Sequence, residues 1–143
     1  MHDSDITELL LVDTDWMERS RLQREFAAAG WRVWAACDAT SAIRIVRERP
    51  HAIAAALVDL QLPGFQGRRL MAQLEELDPP PICMAMSIGL NALAVEAFRL
   101  LSSAPLLLKP VQTAHFEAAL REHTSSKAEN RIARLLASGA YGR

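Results

Sequence analysis

The sequence predicts an α/β domain, doubly wound, with a five-stranded parallel sheet covered by helices on both faces. Two observations carry that prediction. Five short apolar runs alternate with five segments of helical periodicity, which is the βαβ pattern. Two of the runs, Ala52 to Val58 and Ile82 to Met86, contain no charged residue, as expected of strands buried on both faces. Right-handed crossovers then leave few topologies. A chain of 143 residues suggests one domain with enough material for a core.

Taken in order, Glu8-Leu-Leu-Leu-Val12 is the first run and ends at Asp13-Thr-Asp15. Met17, Leu22, Phe26 and Ala29 recur at helical spacing, and Gly30 falls at the position just past a helix end. Trp31 to Ala35 alternates weakly and predicts a short strand. Asp38 or Thr40 can cap the next helix, whose apolar face is Ala42, Ile43 and Val46, with Pro50 just beyond its end. The Ala52 to Val58 run leads into Asp59, Pro63-Gly64 turns the chain, and Gly67 to Leu77 is periodic. After the Pro79-Pro-Pro81 breaker, Ile82 to Met86 ends at Ser87, and Asn91 to Leu101 predicts an apolar-rich helix. Leu106-Leu-Leu108 ends at Lys109-Pro110, and Thr113 to about His123 predicts the last helix, with Phe116 and Leu120 on one face.

Composition excludes several classes. With a net charge of −1 there is no polyelectrolyte signature for direct nucleic-acid binding. The stretch from Ile82 to Val95 is too short and too interrupted to span a bilayer, and Met1 to Asp5 lacks a basic signal-peptide start. A cytoplasmic, reducing setting is the expectation. Cys37 and Cys83 have no metal-ligand spacing and are expected to be buried thiols. Trp16, Trp31 and Trp34 fall on different elements without a basic patch, so packing is expected rather than a base-stacking platform. The four histidines show no catalytic spacing and are expected to face solvent.

Four of the runs end in polar groups: Asp13 with Asp15, Asp59, Ser87 and Lys109. In a parallel sheet those ends share the carboxyl edge, where open α/β sheets place ligands. Clustered carboxylates repel one another, and Mg²⁺ relieves that repulsion while keeping sites for water and phosphate oxygens. Such a cation and a lysine ammonium would stabilise a transferring phosphoryl group. A central Asp can accept it as an aspartyl phosphate, and a neighbouring hydroxyl can bond one of its oxygens.

From Glu8 to His123 the chain resembles a receiver domain of the two-component response-regulator family. Its most specific piece is Asp59-Leu-Gln-Leu-Pro-Gly-Phe-Gln-Gly67, similar to the family's phosphoacceptor loop. Leu-Leu-Leu-Val-Asp13, Met-Ser87, Val95-Glu-Ala97 and Leu-Lys109-Pro110 support it. The resemblance implies a flavodoxin-like sheet of strand order 2-1-3-4-5, with Asp59 taking phosphate from a sensor histidine kinase or phosphotransfer protein. It further implies that Mg²⁺ is held by Asp13, Asp59 and the backbone carbonyl of Gln61. Ser87 would be the switch hydroxyl and Lys109 the phosphate's partner, with a cis peptide before Pro110. An output domain or downstream protein, or a second copy through the fourth helix, fifth strand and fifth helix, would read the change. The only chemistry implied is self-phosphorylation and dephosphorylation.

Three positions depart from the family pattern. Thr14 stands where a second acid would bind Mg²⁺ directly, and Asp15 is the residue that can compensate. A unit-charge pair at ~4 Å and an effective dielectric of ~20 is worth roughly 4 kcal/mol before solvation offsets it, so weakened Mg²⁺ binding is expected unless Asp15 serves. Ile88 replaces a small residue and could narrow access, and Leu106 replaces an aromatic that moves with the switch.

Two alternatives follow. One is a pseudo-receiver, an interaction module that works without phosphorylation. The other starts from Leu-Leu-Val-Asp13-Thr-Asp15, which resembles the first motif of haloacid-dehalogenase-type phosphatases with Asp13 as nucleophile. Against the latter, Met17 replaces the expected Thr or Val, no late acid pair follows Lys109, and the Asp59 loop is left unexplained. The expected organisation is a receiver domain over 1–123 and a tail or linker over 124–143, where Arg131-Ile-Ala-Arg-Leu-Leu136 is basic and amphipathic.

Overall fold

The protein is described as a computed structural model covering residues 7–49, 51–63, 66–89 and 92–124. Gly64 of the expected turn, His2, Asn91 and the tail from 125 onward lie outside the described residues. The element order is β1 (Thr7–Val12), α1 (Trp16–Ala28), β2 (Trp31–Ala36), α2 (Ala39–Glu48), β3 (Ile53–Asp59), α3 (Gln66–Glu75), β4 (Ile82–Ser87), α4 (Ala92–Leu101) and β5 (Leu106–Leu108). A further helix, α5, covers 113–124. All five strands are parallel, in the order β2-β1-β3-β4-β5, as the resemblance implied.

Because side chains alternate along a strand, each central strand feeds two cores. Leu10, Val12, Ala56, Val58, Cys83 and Ala85 face one side, where Ala42 and Val46 of α2, Leu70, Met71 and Leu74 of α3, and Phe98 of α4 cover them. Leu9, Leu11, Ala55, Leu57, Met84 and Met86 face the other, under Leu22 and Phe26 of α1 and Phe116 of α5. Phe116 meets Phe26 and Trp31 edge-on, at ring-centre distances of 5.0 and 5.5 Å. Apolar runs this continuous are thus explained by two covered faces.

The helix ends follow their sequence signals. Asp38 caps α2, its carboxylate accepting from the Ser41 N–H at 2.8 Å. Gly30 sits at φ 102° beyond α1, a conformation that costs glycine little and other residues more. Three expectations are corrected. Cys37 is exposed, because it lies past the end of β2 rather than within the strand. Met17 is 65% exposed, since the core-facing stripe of α1 begins only at Leu22. His123 is half-buried, whereas His51 and His115 are exposed as expected. Trp16 is exposed, while Trp31 and Trp34 are half-buried in the edge strand β2, so the three form no common platform.

Candidate functional site

Register determines which residues meet at the carboxyl edge. Val12 pairs with Val58 across β1 and β3, so Asp13 and Asp59 emerge side by side at the same level. Asp59 pairs with Met86, and Ser87 with Leu108. The ladder continues past the strands: the Leu60 N–H donates to the Met86 carbonyl and the Lys109 N–H to the Ser87 carbonyl, both at 2.9 Å. Neighbouring strands are about 4.8 Å apart, so a group from β5 must cross roughly two strand spacings to reach Asp59. The long Lys109 side chain does so.

Asp13 and Asp59 are 0 and 2% exposed, and Lys109 is the cation between them. Its ammonium donates to Asp59 Oδ2 at 2.7 Å and to Asp13 Oδ2 at 3.0 Å. The remaining oxygens are held by the main chain. Asp13 Oδ1 accepts from the Asp15 N–H at 2.9 Å, and Asp59 Oδ1 from the Gln61 N–H at 2.8 Å. Two acids therefore share one lysine. Burial pushes the Asp13 carboxyl above its ordinary range, with the Asp59 charge adding to the rise, against the Asp15 N–H and Lys109, which pull it down. Burial opposes the charge on Lys109 too, but its bonds to Asp59 and Asp13 outweigh that and hold its pKa above the ordinary lysine value.

The other expected residues are placed differently. Thr14 is exposed. The Asp15 carboxylate caps α1, Oδ1 accepting from the Met17 and Glu18 N–H groups at 3.0 and 3.4 Å. Ser87 is fully buried, yet its hydroxyl donates to the Ile88 carbonyl at 3.2 Å rather than to the acids. Ile88 is 42% exposed and Leu108 is 55% exposed, an apolar rim on the β4 and β5 side. Leu106 is half-buried against the core. The peptide bond before Pro110 is cis, as expected.

Two contributors escaped the sequence reading. The Arg19 guanidinium donates to the Asp13 carbonyl at 2.6 Å, fixing the β1–α1 joint. Gly67, in the first turn of α3, lies against the end of β3: a Cβ there would be 2.5 Å from the Asp59 carbonyl oxygen. The signal for Arg19 was its place in the first turn of a helix that starts beside Asp13.

The donor set suits Mg²⁺ chemically, since a hard cation takes carboxylate and carbonyl oxygens. Asp13 and Asp59 supply two buried carboxylates. Among the described residues, however, no three His, Cys, Asp or Glu side chains are grouped so as to hold a metal ion. The site is one carboxylate short of such a group.

A family model for the response regulator receiver domain matches residues 9–121, a span that starts in β1 and ends in α5. The chain belongs to that family. Solved structures give the same fold. A response regulator receiver domain protein from Clostridium thermocellum superposes at TM-score 0.72 and 18% identity, over 85% of this chain and 97% of that one. A CheY-like receiver domain from Methylobacillus flagellatus gives 0.66 and 22%, over 82% of this chain and 98% of that one. NtrX from Brucella abortus, solved in complex with ADP, gives 0.73 and 20%, over 91% of this chain but 30% of its own length. No curated protein matches the chain. Among the described residues, no helix is long and apolar enough to cross a membrane.

Proposed function

We propose that this receiver domain is a phosphoacceptor, with Asp59 taking a phosphoryl group from the phosphohistidine of a sensor kinase or phosphotransfer protein. The observation that carries this reading is Lys109, whose ammonium joins the buried carboxylates of Asp59 and Asp13 at the carboxyl edge. In the step, the donor's N–P bond breaks as an Asp59 oxygen–phosphorus bond forms, and the imidazole leaves. The Gln61 N–H on Asp59 Oδ1 orients the carboxylate, and Lys109 stands ready to neutralise phosphoryl oxygens. Asp13, Asp59 and the Gln61 carbonyl are the groups that would hold Mg²⁺, which would supply positive charge to those oxygens.

Phosphorylation replaces one carboxylate charge with nearly two on the phosphoryl group, which draws Lys109 and the Ser87 hydroxyl toward Asp59. For Ser87 this means exchanging its bond to the Ile88 carbonyl. The expected readout is the surface of α4, β5 and α5, where Leu100 and Leu108 are exposed. An output domain, a downstream protein or a second copy would bind there. On this reading the chain is a cytoplasmic signalling component of a two-component system or phosphorelay, and it catalyses only its own phosphorylation and dephosphorylation. Its boundaries as a unit are 1–123, with 124–143 as tail or linker.

Family membership and the unexplained Asp59 loop weigh against a phosphatase using Asp13. The missing third carboxylate favours one competing reading, a receiver that docks partners without phosphorylation. Intact mass after incubation with a small-molecule phosphodonor and Mg²⁺ separates the two. One phosphoryl increment on the wild type, lost in Asp59→Asn, is the expected result. An unmodified wild type that also fails to label from a phosphorylated kinase favours the phosphate-independent module.

A further inference from the structure

We propose that the amino end of the sheet carries a binding site of its own, for a small organic carboxylate with an apolar body. It lies opposite the carboxyl edge and does not depend on the use made of Asp59. A cavity of about 260 Å³ opens between the end of α2, the start of β3 and the loop after α3. Val46, Ile53, Leu77, Pro79 and Pro81 form its apolar wall, with Val46 and Pro81 buried. A dry cavity of roughly 150 Å³ holds one benzene ring, so this one has room for a ring and a short chain.

The polar groups around the cavity decide the charge of its occupant. Arg49 lines it but is committed to Glu8 and to the Trp34 ring. Arg47 and His51 line it too, and neither side chain has a hydrogen bond or ion pair among the described residues. Arg47 is shared with a second, more open groove along α2, where Thr40 and Arg44 join it. Arg44 and Arg47, three residues apart, lie on one face of the helix. Glu48 lines the groove and Asp78 the cavity, yet neither acid forms an ion pair with these arginines. Two guanidinium forks are thus left without a fixed acceptor, and a carboxylate matches such a fork through paired hydrogen bonds. An apolar hollow with a few polar groups at its mouth is the usual build of a small-molecule site. His51 holds φ 66°, a left-handed conformation that residues with a side chain adopt uncommonly and that gathers at ligand sites. The tail is the wrong occupant by charge: over 125–143, Lys127, Arg131, Arg134 and Arg143 stand against Glu129 alone. An anion from outside fits, its apolar body in the cavity and its carboxylate on Arg47.

The test is a titration of the full chain with sodium hydrocinnamate, a phenyl ring on a short carboxylate chain, followed by backbone amide resonances. The amides of Arg47, His51, Ile53 and Leu77 are expected to move on one saturable isotherm, while those of Gln61 and Lys109 at the opposite end stay still. Arg47→Gln should weaken binding about threefold, the worth of one exposed ion pair, whereas Arg121→Gln on α5 should leave it unchanged. Hydrocinnamyl alcohol, which keeps the ring and lacks the charge, should bind the wild type about threefold more weakly than the acid and should not distinguish it from Arg47→Gln. Wild type without saturable shifts at these amides up to about 20 mM hydrocinnamate, well above the millimolar range expected of so small a ligand, would overturn the site. So would acetate moving the same amides as strongly, which would mean an adventitious ion only, or the alcohol binding as tightly as the acid.

Discussion

Among the described residues, one cluster of buried or half-buried charge lies at each end of the sheet, and the two are built on opposite terms. At the amino end, Glu8 of β1 faces Arg49, which donates to its Oε1 at 2.6 and 3.1 Å, and Trp34, whose indole N–H donates to the same atom at 2.7 Å. The Arg49 guanidinium also stacks 3.9 Å over the Trp34 ring. One anion has one cation and a spare donor. Burial alone would raise the Glu8 carboxyl, but the Trp34 and Arg49 bonds outweigh it and hold the pKa below the ordinary range. At the carboxyl end two anions divide one cation, and the Asp13 carboxyl is held above its range. A cluster satisfied within the fold fastens β1, β2 and α2 together. One left with surplus negative charge is arranged for something that arrives from outside.

The sharpest test removes the shared cation. Lys109→Met leaves two buried carboxylates facing each other, and should cost about 3 kcal/mol in urea unfolding at neutral pH. Combining it with Asp13→Asn should recover a large part of that loss. If Lys109→Met is as stable as wild type, the two acids do not depend on Lys109 and the contrast between the ends collapses.

Glu8→Ala removes the partner of a half-exposed Arg49 and an indole N–H, and should cost about 1.5 kcal/mol at pH 7. The pH dependence has a definite sign. A carboxyl whose folded pKa is depressed stabilises above its unfolded value, about 4.3, and loses that contribution as the pH falls through the folded value. The deficit of Glu8→Ala should therefore shrink steadily below pH 4.

For Asp13 the sign reverses. Its raised folded pKa means that its contribution to stability is lost as the pH rises through that value. At neutral pH the ionised group opposes folding. Asp13→Asn, measured in EDTA, should be more stable by about 1 kcal/mol, or some 4 °C in Tm, with the gain disappearing under acid conditions. A destabilised Asp13→Asn would put the two ends on the same footing. Half-buried Arg21, which pairs with Glu18 and Glu25 and donates to the Val111 carbonyl at 3.2 Å, gives the smallest effect: Arg21→Ala should cost about 0.5 to 1 kcal/mol.

Strand identity was legible because uninterrupted apolar runs leave little choice about burial, sheet order was legible only through the family resemblance, and the three groups that meet, Asp13, Asp59 and Lys109, were legible as strand ends. What could not be read depends on where side chains of fixed identity point. Ser87 was correctly placed, but its hydroxyl bonds Ile88 instead of joining the acids. Asp15 stands immediately before α1, where capping competes with any other use of its carboxylate. Glu8, Trp34 and Arg49 lie 26 and 41 residues apart, and nothing local links them. Met17 was misplaced because helical periodicity was extended ahead of the point where the packed face of α1 begins, and Cys37 because an apolar neighbourhood does not bury a residue beyond the end of β2.

The contact between Gly67 and the Asp59 carbonyl bears on how any mutational map of this protein should be interpreted. Every residue introduced at 67 brings a Cβ, so all substitutions should push β3 and α3 apart, with little dependence on which residue is introduced. In a saturation screen scored by signalling output, position 67 would rank with Asp59 and Lys109 as intolerant. It would differ from Asp59 in one respect: abundance would fall together with output, because the position carries geometry and no chemistry.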